Sequence, residues 1–296
     1  MDRADFVALL FCVPTVSACE SPPASVPAAA SALASAPAPA SASAPASACA
    51  PASAPAPALT SASAIVDLPI PGHPTAVVSL PLGATSKRPV IIAAHGNYDR
   101  PEWQCDVWRS LLGARANRVF VLCPRGERRP DSPSPDDIRF TYENNATLER
   151  EIDAGLAALS AAYPDFVDPG PVVHAGFSLG AIQGVAIAGR RPERSPRLVL
   201  IEGGHAAWKP EVVSAFAKIE GARVLFVCSQ SGCAADARWA ASRLEKAGVE
   251  TKIAKSADVG HRYDGPVADT TRSALEWVFE GDSRFEVETK DAAPRP

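Results

Sequence analysis

From about residue 65 onward, short apolar runs alternate with longer runs of helical periodicity. Val90–His95, Val119–Cys123, Val172–Phe177, Leu198–Glu202 and Val224–Cys228 are five or six residues long, mostly apolar, and most are flanked by Pro or Gly. Runs of that length and bounding read as strands buried on both faces. Thr75–Leu80 and Glu250–Ala254 extend the strand series at either end. Between them, helices are predicted over Trp103–Leu112, Thr147–Ala162, Leu179–Gly189, Pro210–Ile219, Ala234–Ala247 and Val267–Phe279. In the second of these, Leu148, Ile152, Leu156 and Leu159 recur on one face, with Asn145 as the expected cap. Strands alternating with helices predict a mostly parallel sheet covered by helices on both faces. Ligands in such sheets bind beyond the carboxyl ends of the strands.

The first 64 residues break this pattern. Phe6 to Val13 is an apolar core too short to span a membrane, behind a start that holds Arg3 but also Asp2 and Asp5. It ends in Val16-Ser17-Ala18-Cys19, which resembles the bacterial lipobox, so residues 1–18 are expected to be a signal peptide and Cys19 the lipid-modified first residue. Ordinary secretion with cleavage after Ala18 is the alternative. Residues 19–64 are almost wholly Ala, Pro and Ser, with no large apolar residue at a fixed period. Such a composition predicts a disordered, partly polyproline tether with a reach of at most about 140 Å. The expected location is therefore outside the cytosol, lipid-anchored to a bacterial cell membrane, or else secreted or periplasmic.

The run Gly176-Phe177-Ser178-Leu179-Gly180 joins the expected strand Val172–Phe177 to the expected helix Leu179–Gly189. Glycine on both sides of a serine permits a sharp strand-to-helix turn that lifts the hydroxyl above the sheet. His95-Gly96 follows the strand from Val90, and Val259-Gly260-His261 precedes the last helix. In this order the chain resembles the α/β-hydrolase superfamily, within it the compact serine esterases related to dienelactone hydrolase and the carboxylesterases. The resemblance covers about residues 65–281 and implies an α/β-hydrolase fold without a large cap domain, followed by a C-terminal tail at 282–296. The Pro124–Phe140 segment is the one candidate for a partial lid and reads as a surface loop.

The resemblance implies that Ser178 is the nucleophile and His261 its base, with His205 the rival base. The backbone N–H groups of Leu179 and Asn97 are the expected oxyanion donors. Most of the superfamily carries an aspartate after the strand that here ends at Cys228, yet the chain reads Ser229-Gln230-Ser231-Gly232-Cys233. Glu202, Asp236 and Asp258 remain as candidates for the third member, with no acid at all as the further alternative. His174 is expected to be a satisfied core residue, and Tyr98 and Trp208 to line the pocket or simply to pack. The implied reaction is acyl transfer from a small or polymeric carboxylic ester through an acyl-enzyme, with no cofactor. A prolyl-oligopeptidase-type peptidase and a non-catalytic surface module that has lost its acid are the competing readings.

Composition adds two restrictions. A net charge of −4 with scattered basic residues gives no footprint for nucleic acid; Arg125-Gly126-Glu127-Arg128-Arg129 is the densest basic cluster and reads as a solvated loop. Four cysteines lie in the folded part, and Cys105–Cys123 with Cys228–Cys233 is the most local of their three possible connectivities. A metal site is the rival, without C-x-x-C spacing to support it.

Overall fold

The computed structural model describes residues 57–286. Their central feature is an eight-stranded sheet in the order β1-β2-β4-β3-β7-β8-β9-β10. The strands are β1 (Ile65–Leu68), β2 (Ala76–Ser79), β3 (Val90–Ala94), β4 (Phe120–Cys123), β7 (Val173–Phe177), β8 (Arg197–Ile201), β9 (Arg223–Cys228) and β10 (Glu250–Lys255). The remaining pair, β5 (Glu127–Arg128) and β6 (Phe140–Thr141), forms a separate two-stranded sheet that closes the loop after β4. Within the main sheet, only β3 and β4 exchange places relative to chain order. β2 runs antiparallel to both of its neighbours, and from β4 to β10 all pairings are parallel. This is an α/β-hydrolase fold.

The central strands are apolar on both faces because both are covered. Ile91, Val121, Ala175, Val199 and Leu225 point to a core completed by Trp108 and Leu111 of α1 (Pro101–Leu112) and by Leu275 and Val278 of α6 (Pro266–Phe279). Their alternates Ile92 and Leu122 meet α2 (Asn145–Ala162) on the opposite face. Leu198, Leu200 and Phe226 meet α3 (Leu179–Arg190), α4 (Pro210–Phe216) and α5 (Ser231–Lys246) there as well. The edge strand β10 mixes exposed and half-buried residues and carries exposed Lys252 and Lys255, charges of the kind that discourage edge-to-edge pairing.

Several expectations need correction. The folded region begins before residue 65: Leu59 is buried, and its backbone exchanges hydrogen bonds with Gly83 and Ala84 (2.8 Å each). It also continues past 281, since Phe285 is buried and stacks on Phe279 at 4.5 Å. The cap of α2 is Asn144, one residue before the expected Asn145; its side chain accepts from the Ala146 and Thr147 N–H groups. Cys105–Cys123 and Cys228–Cys233 are disulfides, so these thiols are not metal ligands. The first fastens α1 to the end of β4 and the second ties the end of β9 to the first turn of α5. Among the described residues no helix is long and apolar enough to cross a membrane. The expected signal peptide, Cys19 and residues 20–56 of the expected tether lie outside the described residues.

Candidate active site

Three non-glycine residues among those described have positive φ: Tyr98 (63°), Ser178 (49°) and Glu202 (51°). Each lies just beyond a parallel strand, β3, β7 or β8. Left-handed backbone is costly for such side chains and persists where surrounding structure enforces it, a pattern typical of functional sites.

At Ser178 the enforcement is visible. A Cβ at Gly176 would lie 2.5 Å from the Ala181 nitrogen, and one at Gly180 would run into the carbonyl oxygens of Ala94 and His95. Only glycine lets α3 start this close to β7 and β3. The Ser178 N–H donates to the Ile201 carbonyl (2.9 Å), which locks the turn to β8. Gly96 lies against the same turn: a Cβ there would be 3.4 Å from the Ser178 Cβ and 2.8 Å from the Phe177 ring. The loop after β3 thus borders the serine, as an oxyanion loop must. Leu179 heads α3, so its N–H is one of the first-turn donors left without an intrahelical acceptor. In the adjoining loop the Gly96 N–H points to the Asp99 carboxylate (3.4 Å), and those of Tyr98 and Asp99 to the Phe140 carbonyl.

His95 is wholly buried and stacks on Tyr142 at 4.4 Å. Its Nδ1 meets the Gly96 carbonyl (2.7 Å) and its Nε2 the Arg125 carbonyl (2.8 Å). It stiffens the loop and does not approach the solvent face. Behind it, buried Glu151 accepts from the N–H groups of Arg125 (2.7 Å) and Gly126 (3.0 Å); burial is the main cause of its raised pKa.

His261 lies on an irregular segment between β10 and α6, with its ring 4.9 Å from that of Phe177, the residue preceding the serine. Its Nδ1 is 3.9 Å from Glu202 Oε2. That is an ion-pair separation, longer than a hydrogen bond, and catalytic pairs are often this loose before substrate binds. Glu202 is 4% exposed. Its Oε1 accepts from the Ser229 N–H and from the Gln230 N–H (3.3 Å), while Oε2 has no hydrogen-bond partner. A buried carboxylate oxygen left this way is costly and favours a cationic donor beside it.

The other candidates fall elsewhere. Asp236 is directed to the other histidine, its Oδ2 lying 3.3 Å from His205 Nε2. Asp258 is exposed. Ser229 occupies the place where the resemblance expects an aspartate, and there its Oγ donates to the Gly260 carbonyl (2.8 Å) and receives the Val259 N–H (3.3 Å). It holds the histidine segment to the end of β9 without supplying charge. Trp208 is core, packed edge-on to Phe216 at 5.2 Å, and not a pocket residue. His174 is buried but not satisfied, as neither ring nitrogen has a partner.

A cavity of about 460 Å³ opens at this end of the sheet, lined among others by Asn97, Tyr98, Trp103, Phe177, His261 and Tyr263. Tyr98 is fixed by its hydroxyl, which donates to the Asp131 carbonyl (2.7 Å), and by the Arg129 guanidinium 5.4 Å over its ring. Arg129 also donates to the Asn97 side chain (2.9 Å). A second cavity of about 480 Å³, beside Arg115 and Trp277, carries none of the groups around Ser178.

Two residues of this site escaped sequence reasoning. Asp99 is 6% exposed, and Tyr263 donates its hydroxyl to Asp99 Oδ1 (3.2 Å). The pair spans 164 positions, so no local pattern announces it.

No family model and no curated protein matches this chain. Among solved structures it is similar to TT1662 from Thermus thermophilus, at 18% identity and a TM-score of 0.49, over 73% of this chain and 98% of that one. It is also similar to an S-formylglutathione hydrolase from Agrobacterium tumefaciens (17% identity, TM-score 0.47, 70% and 89% of the two chains). A Bacillus cereus carboxylesterase is similar at 17% identity and a TM-score of 0.47, over 64% and 87% of the two chains.

Proposed function

We propose that this chain is an exported serine hydrolase that cleaves carboxylic esters through an acyl-enzyme on Ser178. The observation that carries the reading is Glu202: a buried carboxylate on strained backbone, with one oxygen held by β9-end amides and the other facing His261. That is the arrangement an imidazole base needs in order to be oriented and stabilised once it becomes charged.

In the reaction, Ser178 Oγ attacks the ester carbonyl carbon while His261 Nε2 takes the hydroxyl proton. The carbonyl oxygen becomes an oxyanion received by the N–H groups of Leu179 and Asn97. The C–O bond to the alcohol then breaks, and His261 returns its proton to the departing oxygen. Water repeats the sequence on the acyl-enzyme, giving the free acid and restoring Ser178. Glu202 keeps its charge throughout and stabilises the imidazolium that forms in each half-reaction. The two disulfides support an oxidising compartment. The Val16-Ser17-Ala18-Cys19 motif supports a lipid anchor at a membrane surface.

A fluorophosphonate probe tests the reading. The protein should be labelled at Ser178, Ser178→Ala should not, and acyl esters should turn over far faster than peptide amides. No labelling would favour a non-catalytic module; faster amide cleavage would favour a peptidase.

A further inference from the structure

We infer that Asp99 is a positioning residue that ties the oxyanion loop to the catalytic histidine segment through Tyr263. The inference rests on the serine-hydrolase reading and assigns a function to a buried carboxylate at the site that takes no part in the chemistry.

Asp99 sits where three parts of the site meet. Its Oδ2 faces the Gly96 N–H (3.4 Å), on the loop that borders Ser178. Its Oδ1 accepts from the Arg100 N–H (2.8 Å) and from the Tyr263 hydroxyl (3.2 Å). Its own backbone is held rigidly, exchanging hydrogen bonds with Phe140 in both directions (3.3 and 2.9 Å). Asp99 is thus a fixed post, and Tyr263 is what reaches across to it.

The histidine segment needs such a post. His261 has a side chain 46% exposed, and its carboxylate partner stands 3.9 Å away. The segment is pinned ahead of His261 by Ser229, at Val259 and Gly260. Beyond it, the side chains of Arg262 and Asp264 pair with each other on the surface, and the Asp264 carbonyl accepts only from the local turn, at Val267. Tyr263 supplies the second pin: its ring packs on Phe177 at 4.7 Å, on the same aromatic ring that supports His261, and its hydroxyl is anchored to Asp99. With pins on both sides of His261, the imidazole is held against the serine turn. Burial, reinforced by the Asp99 charge, pushes the Tyr263 phenol well above its usual range, so it remains a donor. Because the same carboxylate faces the Gly96 N–H, base and oxyanion donors are set relative to each other through one buried group.

Tyr263→Phe removes the hydroxyl and leaves the ring on Phe177. Its kcat on esters and its rate of fluorophosphonate labelling should fall about 10- to 100-fold, the equivalent of one hydrogen bond to a charged group. KM and Tm should change little. Asp99→Asn should show a loss of similar size, and the double variant should be no worse than the poorer single one. The loss should be the same factor for short and long acyl esters. A loss confined to one substrate would make Tyr263 a substrate contact and overturn the inference, as would wild-type kcat in Tyr263→Phe or a fall in Tm with kcat intact. The tether can also be read without turnover: in Ser178→Ala, adding Tyr263→Phe should broaden the His261 ring signals in NMR, and unchanged signals would overturn it. Wild-type protein that never labels at Ser178 would remove the hydrolase reading, a result distinct from a labelled wild type with an equally fast Tyr263→Phe.

Discussion

His174 offers the sharpest test of how the Ser178 turn is supported. It lies on β7, four positions before Ser178, is fully buried, and neither ring nitrogen has a partner. Burial, with a smaller contribution from the Arg194 charge, lowers its pKa from 6.5 to about 4. Well above pH 6.5 the imidazole is neutral in folded and unfolded chains alike and contributes no pH dependence. Below 6.5 the unfolded chain takes up a proton that the folded chain refuses, so stability falls with pH until about pH 4. The full difference corresponds to about 3 kcal/mol, of which about 2 kcal/mol falls between pH 7 and pH 5. His174→Leu removes the titration and two unpaired polar atoms while roughly keeping the volume. Urea unfolding followed by tryptophan fluorescence should show the variant at least as stable as wild type at pH 7. Its loss on going to pH 5 should be smaller by about 2 kcal/mol. Carboxylates titrate in both proteins and cancel in the comparison. Equal losses in the two proteins would show that His174 is solvated or paired in solution, and the reasoning would fail.

The other expectations concern packing, catalysis and address. A Cβ at Gly184 of α3 would run into His174 Nε2, so Gly184→Ala should destabilise by about 1–3 kcal/mol, and by less in a His174→Ala background, as read from denaturant midpoints. Glu202→Gln should lower kcat on esters by roughly 10³- to 10⁴-fold with little change in Tm, while Asp236→Asn should stay within about threefold of wild type. The reverse ranking would hand the acid role to Asp236. Replacing Cys105 and Cys123 by serine should reduce unfolding free energy by about 2–4 kcal/mol, and mass mapping of non-reduced protein should recover both bridges. Cys19→Ala should release the protein from the membrane fraction or stall its processing; continued membrane attachment would refute the lipid anchor.

The architecture was legible because a sheet covered on both faces writes its strands as continuous apolar runs. β3, β4, β7, β8 and β9 all announce themselves that way. What escaped was short or compositionally disguised. β1 has four residues, one of them Asp67, and its pairing with β2 is what makes it a strand. β5 and β6 have two residues each and little apolar character. Leu59 is a single leucine at the end of an Ala/Pro/Ser stretch, and it docks because Gly83 and Ala84 offer it backbone partners, which no composition reveals.

The candidate site divides along a similar line. Residues whose place follows from position on one element could be located from the chain: Ser178 at a glycine-flanked turn, Glu202 at a strand end, His261 before the last helix. Which carboxylate serves which histidine could not, because that depends on where the strand ends point relative to one another. Register decides it: Ile201 lies opposite Val227, so Glu202 emerges beside Ser229 and Gln230, whose amides hold one of its oxygens. The position after β9 then needs no acid of its own. A carboxylate there would stand beside an already buried Glu202, and two like charges so close are costly without further donors. Serine at 229 avoids that repulsion and keeps the polar hold on Val259 and Gly260. Under the proposed function the strained glutamate and the serine at 229 belong together: the carboxylate facing His261 stands at the end of β8, one strand earlier than the resemblance implied, and a hydroxyl at the end of β9 anchors the histidine segment.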